Sequence, residues 1–154
     1  MKSFRRKFLK LLGFSYLSAI FLPHNFLYSA TKKIINPKLT EEQKEIMFGQ
    51  VTEEPFSSPL IFEKRKGFFH CANCDAKLFS SDAKFDSGSG WPSFTEALPG
   101  AFKTTVDYSF GMKRIEYYCA KCGVHHGHVF DDGPTSTQKR FCNNGLCLIF
   151  KAEN

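Results

Sequence analysis

The chain of 154 residues has the length of one compact domain, and its hydrophobic content of 42% with 18 Phe residues is enough for an aromatic core. Such a composition excludes a disordered chain. The net charge is +6, but five of the 21 Lys and Arg residues lie in residues 1–30, which contain no acid; the remainder has 16 basic and 15 acidic residues. Because this remainder is nearly neutral, nucleic acid is not predicted as a partner.

Residues 1–30 have the layout of an export signal. A basic stretch precedes an apolar run from Leu11 to Pro23, which is shorter than a membrane-spanning helix. The pair Arg5-Arg6 resembles a twin-arginine signal, whose passengers cross the membrane already folded. No clear cleavage site follows, so the alternative is an uncleaved N-terminal anchor. We therefore predict an exported, periplasmic protein that contacts the membrane only through this segment.

A linker is predicted at residues 31–38 and a single folded domain at residues 39–154. Thr40 with Gln43 three residues later forms a capping pair, which predicts a short N-terminal helix. Further along, short aromatic and β-branched runs alternate with clusters of Gly, Pro, Asp and Ser. These runs occupy residues 67–70, 101–108, 114–118 and 140–150. Short strands at this spacing predict a mainly β fold with antiparallel sheets.

Two Cys-x-x-Cys pairs indicate a metal site. They consist of Cys71, Cys74, Cys119 and Cys122. Four thiolates in two such pairs match a closed, tetrahedral, structural Zn²⁺ site, one per chain. Because each pair follows a predicted strand, one ion would join two strand ends. The alternative is disulfide bonding in an oxidising compartment, but a passenger that folds before export would bind zinc in the reducing cytoplasm.

Cys142 is the candidate nucleophile among the two remaining cysteines. On a strand, Arg140, Cys142 and Asn144 point to the same face, which brings a guanidinium, a thiol and an amide together. A guanidinium beside the sulfur lowers the thiol pKa and favours the nucleophilic thiolate.

Two further motifs are candidates for the same site. His125 and His128 follow the second cysteine pair; an ideal strand would point them to opposite faces, but Gly127 allows a different backbone path. The alternative for these histidines is a second metal site or exposed imidazoles. Trp91 follows a glycine-containing loop that could present it to a ligand, although a lone Trp is more often a core residue.

Together these motifs resemble the methionine-R-sulfoxide reductase B family over residues 39–150. The matching stretches are residues 55–56, 71–74, 79–82, 84–94, 119–134 and 140–142. The resemblance implies a mainly antiparallel β fold with a four-cysteine zinc site remote from the active site. It also implies reduction of methionine-R-sulfoxide in oxidised proteins, through a sulfenic acid on the nucleophile Cys142.

The resemblance further implies a role for each remaining candidate. His125 and His128 would bind the region of the sulfoxide oxygen and assist proton transfer. Arg140 and Asn144 would support the site, and Trp91 would form part of the pocket for the substrate methyl group.

The sequence departs from the family at the position of a second, resolving cysteine, where it has Ser89. On an extended strand Cys147 would lie roughly 17 Å from Cys142 and face the other way, too far for a disulfide unless Gly145 bends the chain. Recruitment of a zinc cysteine would cost the domain its metal. We therefore predict that an external thiol or thioredoxin-like protein regenerates Cys142. Asn143, on the opposite face, is expected to matter little.

Two other functions compete with this interpretation. A zinc-ribbon-like interaction module would explain the four cysteines, but it has no use for an activated thiol beside an arginine. A thiol-disulfide oxidoreductase would use one Cys-x-x-Cys pair, but two such pairs without a visible βαβ pattern favour metal binding.

Overall fold

The computed structural model describes residues 32–153, so the predicted signal or anchor in residues 1–30 lies outside the described part. Within residues 32–153, no helix is long and apolar enough to cross a membrane. The predicted linker runs along the first cysteine pair, because the N–H groups of Ile35 and Asn36 donate to Asn73 Oδ1 at 2.8 and 3.2 Å. This segment is therefore fastened to the domain that follows it.

The predicted N-terminal helix, α1, spans Glu41–Gly49. Its capping pair is formed: Gln43 N–H donates to Thr40 Oγ1 at 3.1 Å, and Thr40 N–H donates to Gln43 Oε1 at 3.0 Å. These bonds satisfy two donors at the start of the helix. Ile46 and Met47 are buried, so the helix packs on the core through its last turns.

Between residues 32 and 153, the rest of the regular structure comprises nine strands and four short 3-10 turns. The strands are β1 (Gly67–Cys71), β2 (Lys77–Ser80), β3 (Lys84–Phe85), β4 (Ser93–Phe94), β5 (Phe102–Asp107), β6 (Arg114–Cys119), β7 (His125–Phe130), β8 (Arg140–Asn143) and β9 (Leu148–Ala152). They form a three-stranded sheet in the order β2-β1-β9 and a six-stranded sheet in the order β3-β4-β8-β7-β6-β5. Every pairing is antiparallel, which confirms the predicted fold class.

Aromatic rings join the two sheets. Phe69 of the small sheet and Phe94 and Tyr117 of the large sheet are fully buried. Phe79 stacks on Phe94 with ring centroids 4.0 Å apart. Burying a Phe side chain contributes about 1.5–3 kcal/mol, so these few rings supply a large part of the stability of a domain this size.

The prediction of one continuous strand over residues 140–150 is wrong. This segment is divided between β8 of the large sheet and β9 of the small sheet, with a 3-10 turn, Gly145–Cys147, between them. Gly145 lies against Ser58, since a Cβ at Gly145 would be 2.0 Å from Ser58 Oγ. Its N–H donates to the Glu53 carboxylate. The chain therefore bends at Gly145, and the extended geometry assumed between Cys142 and Cys147 does not apply.

Candidate active site and metal centre

Cys142 lies in the middle of the six-stranded sheet, on the wall of a cavity of about 130 Å³. Strand β8 places it opposite His128 of β7 on one side and opposite Ser93 of β4 on the other. The cavity is lined by Thr52, Trp91, Arg114, Gly127, His128, Phe130, Cys142, Asn143 and Asn144. Four predicted site residues therefore meet in one cavity: Cys142, His128, Trp91 and Asn144.

A β-bulge places His125 and His128 on the same side of the sheet. In the pairing of β6 with β7, Tyr117 is opposite Gly127 and Tyr118 is opposite His125, so His126 is an extra residue without a partner in the ladder. One extra residue reverses the alternation of side chains. The rings of His125 and His128 consequently lie 5.6 Å apart between centroids.

Gly127 also permits the close approach of β7 to β8. A Cβ at Gly127 would lie 1.9 Å from the carbonyl oxygen of Cys142. No side chain fits there, so glycine is required at this position for β7 to pack directly beside β8.

Each histidine is held by a carboxylate, through opposite ring nitrogens. Glu116 Oε1 lies 2.7 Å from His125 Nδ1, and Asp107 Oδ2 lies 2.8 Å from His128 Nε2. Arg114 donates to the same Asp107 oxygen at 2.7 Å. A carboxylate accepts only, so the contacted nitrogen of each ring carries a proton.

His125 lies beside the Cys142 cavity rather than on its wall. Its side chain is almost fully buried, at 1% exposure, and borders a second, neighbouring cavity together with Glu116. Its Nδ1 is fixed on the Glu116 carboxylate. Of the two predicted histidines, His128 is therefore the one in position to exchange a proton with Cys142 or its substrate.

Arg140 contacts the Cys142 sulfur, as the strand alternation predicts. Its guanidinium is held by Asp132 at 2.8 and 2.9 Å and lies over the Phe130 ring. Burial nevertheless raises the pKa of the Cys142 thiol above its ordinary value, although hydrogen bonds from Arg140 and Ser89 act in the opposite direction. The pKa of the Cys142 thiol is therefore raised, whereas Arg140 alone would lower it. The resting thiol is neutral near pH 7.

Burial also lowers the pKa of His128, against the opposing effect of the Asp107 hydrogen bond. His128 is therefore a neutral imidazole near pH 7. The resting site combines a neutral thiol with a neutral base, rather than a thiolate with an imidazolium.

Asn144 and Asn143 both have fixed, buried side chains. Asn144 Oδ1 accepts from the Glu53 N–H at 3.0 Å, and its Nδ2 donates to the His126 carbonyl at 3.1 Å. Asn143 Oδ1 accepts from the Tyr117 hydroxyl at 2.9 Å. The Asn143 amide thus satisfies a buried phenol of the core, and its small role in the chemistry stays a prediction.

The four predicted metal ligands converge at the ends of β1 and β6. Their Sγ atoms lie within 4.8 Å of one another, with Cys71–Cys122 and Cys74–Cys119 separations of 3.7 and 3.6 Å. A tetrahedral Zn²⁺ with Zn–S bonds of about 2.3 Å requires S···S separations of about 3.8 Å, whereas a disulfide requires about 2.05 Å. The Sγ separations of the cluster therefore fit a metal ion and are too long for disulfide bonds.

The chain resembles known proteins over most of its length. The family model described as the SelR domain matches residues 39–152. A relative from Methanosarcina barkeri, named peptide methionine sulfoxide reductase MsrB, is 48% identical over 116 residues, which cover 75% of this chain and 82% of the relative. The chain belongs to the MsrB family. A relative with the same name from Variovorax paradoxus is 51% identical, over 70% of this chain and 79% of the relative. Another from Alteromonas mediterranea is 43% identical, over 82% of this chain and 89% of the relative.

Among solved structures, the Mis18 "Yippee-like" domain covers 58% of this chain and 99% of its own, with a TM-score of 0.48 and 16% identity. A similarity of this size carries no argument about fold or function.

Within this MsrB chain, Ser89 and Cys147 have clearly different surroundings. The Ser89 hydroxyl contacts the Cys142 sulfur and a second serine, Ser87, at 2.8 Å. Cys147 is completely buried, and its thiol donates to the His125 carbonyl at 3.4 Å. Ser89 thus lies next to Cys142, while the Cys147 thiol is held in the core.

Sequence reasoning missed the residues that support this MsrB site. They are Asp107, Arg114, Glu116 and Glu53. The available signals were the acidic residues Asp107 and Glu116 within the predicted strands at 101–108 and 114–118, because a carboxylate in a half-buried strand usually has a cationic or donor partner.

An Arg140→Ala variant is expected to alkylate more slowly at Cys142. Removing the guanidinium removes a group that lowers the thiol pKa, so the pKa rises further and the thiolate fraction at pH 7 falls. We expect the rate of iodoacetamide modification at pH 7, measured by mass spectrometry of the Cys142 peptide, to fall about threefold or more.

The wild-type rate should keep rising with pH beyond about 8, since a raised pKa delays ionisation. Arg65→Ala, which removes a surface arginine paired with Glu63, is the matched control and should leave the rate unchanged. A wild-type rate that levels off below about pH 7 would contradict the direction of the pKa.

Proposed function

We propose that this peptide methionine sulfoxide reductase reduces the R epimer of methionine sulfoxide in oxidised proteins, with Cys142 as the nucleophile. The observation that carries the proposal is one cavity of about 130 Å³ that is lined by Cys142, His128, Trp91 and Asn144. This volume suits a small side chain rather than a large ligand, and the Trp91 ring offers an apolar wall for the methyl group.

The proposed reaction starts from the neutral thiol and the neutral imidazole. The Cys142 sulfur attacks the sulfoxide sulfur while its proton passes through His128 to the sulfoxide oxygen. This attack forms an S–S bond between Cys142 and the substrate sulfur. The hydroxyl group then moves to the Cys142 sulfur, so that the S–S bond and the substrate S–O bond break as the S–O bond to Cys142 forms. Methionine leaves, reduced by two electrons, and Cys142 becomes a sulfenic acid, oxidised by two electrons. No net proton is gained or lost.

The surrounding charges support this proton transfer. His128 keeps one proton on Nε2, directed at Asp107, so its Nδ1 is the nitrogen that receives the thiol proton. Hydrogen bonds from Ser109 and His128 hold the pKa of Asp107 well below its usual range, so a carboxylate stabilises the imidazolium that forms. Arg140 stabilises the negative charge that develops on the sulfur.

An external thiol or thioredoxin-like protein is the proposed reductant. A first thiol attacks the sulfenic acid to give a mixed disulfide and water, and a second thiol releases Cys142. The serine at position 89 supports this route, because the residue in contact with the sulfur cannot form a disulfide. Cys147, completely buried and hydrogen-bonded elsewhere, is the proposed bystander.

The proposed metal is one structural Zn²⁺ held by Cys71, Cys74, Cys119 and Cys122. When bound, it would link β1 to β6, and so the two sheets, without taking part in the reaction.

We also propose export to the periplasm by residues 1–30. In fractionated cells, an R5K/R6K variant should remain in the cytoplasm, and unchanged export would exclude the twin-arginine route.

The decisive experiment incubates the purified full chain with both epimers of N-acetyl-methionine sulfoxide and dithiothreitol. Chiral chromatography should show that the R epimer disappears and the S epimer remains. Consumption of the S epimer, or of neither, would contradict the proposal.

A single turnover without reductant tests the intermediate. Mass spectrometry should find a dimedone adduct on Cys142, whereas a disulfide between Cys142 and Cys147 would refute the proposed route. Ser89→Cys is the matched control, because it places a thiol beside the nucleophile. In this variant the adduct should be replaced by a disulfide between Cys142 and the introduced thiol, detected by the loss of two hydrogen masses relative to the reduced protein.

A further inference from the structure

A second cavity, of about 550 Å³, adjoins the Cys142 cavity. The two share a wall formed by Thr52, Arg114 and His128. If the methionine sulfoxide side chain occupies the smaller cavity, the polypeptide that carries it runs past this wall. The second cavity is large enough for one neighbouring side chain of that polypeptide.

Most side chains that line the second cavity are polar or charged, and the apolar ones, Val51 and Phe110, are exposed at its rim. Val51 on one side is 51% exposed, and Phe110 on the other is 86% exposed. Phe110 belongs to the connection between β5 and β6, where Tyr108 and Met112 are also exposed, at 70% and 58%. Large hydrophobic side chains grouped beside a cavity indicate contact with a partner.

Although the Phe110 side chain is exposed, its ring has a specific contact within the protein. The Phe110 φ of 56° is in the left-handed region, which is unfavourable for a bulky residue. The Arg114 guanidinium lies 5.5 Å from the centre of its ring, a cation–π contact, and is itself fixed by Asp107 and Ser109. The same arginine therefore lines the nucleophile's cavity and supports the exposed ring at the rim of the next one.

We infer that the rim of this second cavity, formed by Val51 and Phe110, is a subsite for an apolar or aromatic residue next to methionine sulfoxide in the substrate polypeptide, with Phe110 as its main contact. The inference rests on the proposed function, since it requires the sulfoxide to bind beside Cys142. It makes the enzyme selective for the neighbours of the oxidised methionine, while the reaction itself stays in the smaller cavity.

The test compares kcat/KM for N-acetyl-methionine-R-sulfoxide with that for peptides carrying Leu, Phe, Gly or Asp on either side of the sulfoxide. An apolar neighbour on one side should raise kcat/KM about tenfold over Gly, mainly through KM. Phe110→Ala should reduce this Leu-to-Gly ratio towards one. Phe62→Ala, which removes another exposed ring, 73% exposed and outside both cavity walls, should keep the ratio.

The outcomes separate the two proposals. Turnover of the small substrate without any preference among the peptides overturns the subsite but leaves the proposed function standing. Equal loss of the ratio in both variants also overturns it. Absence of turnover on every substrate overturns both.

Discussion

A Cys142→Ser variant is expected to lose its turnover of methionine sulfoxide by a factor on the order of 10³ or more, as typically follows loss of a nucleophile. A serine hydroxyl stays protonated and its oxygen cannot take up the sulfoxide oxygen as a sulfenic acid. The fold should be unchanged, since serine is nearly the same size and the thiol lies at a cavity wall. Consumption of N-acetyl-methionine-R-sulfoxide with dithiothreitol measures the effect.

Cys147→Ser is the matched control. Its hydroxyl can keep the hydrogen bond to the His125 carbonyl, so we expect activity within a few-fold of the wild type and a modest loss of stability. If Cys142→Ser kept a tenth of the activity, or if Cys147→Ser were equally inactive, the nucleophile would be misassigned.

A Cys119→Ser variant is expected to lose the bound metal and, with it, the cooperative unfolding transition at moderate temperature. Structural zinc sites have apparent binding free energies of about 10–16 kcal/mol, as large as the whole unfolding free energy of a typical domain. Cys119 ends β6, whereas Cys71 and Cys74 lie at the end of β1, so metal loss disconnects the two sheets. Thermal unfolding and metal analysis of the purified protein measure both effects.

Lys121→Ala provides the control within the same cysteine pair. Lys121 is exposed and donates to the Cys74 carbonyl at 3.0 Å, so the variant should keep one zinc equivalent and nearly the same Tm. Less than half an equivalent of zinc in the wild type, or an unchanged Tm in Cys119→Ser, would exclude a zinc-stabilised fold.

The sequence was sufficient for features that depend on local spacing. The Thr40–Gln43 capping pair, the two Cys-x-x-Cys pairs and the alternation of Arg140 with Cys142 each involve residues at most a few positions apart. Their geometry follows from one element or one turn, and the structure shows each of them formed.

Features that depend on pairing between strands could not be predicted in the same way. The bulge at His126 and the partners Asp107 and Glu116 follow from the register of β5, β6 and β7, which the sequence does not specify. The pKa direction of Cys142 was also missed, because it is set mainly by burial and only secondarily by its sequence neighbour Arg140.

The contacts around Glu53 have a consequence for the order in which the protein matures. Its carboxylate accepts from the backbone of Gly145 and Leu146, and its own N–H donates to Asn144, 91 positions along the chain. Immediately afterwards, β9 pairs with β1 along five residues. On the ribosome, the Glu53 contacts cannot form until residues 144–146 have emerged from the exit tunnel, and the pairing with β1 cannot form until β9 has emerged. A nascent chain halted before Leu148 would therefore carry the thiol of Cys142 without its finished pocket, and reductase activity should begin only after synthesis of the domain is complete.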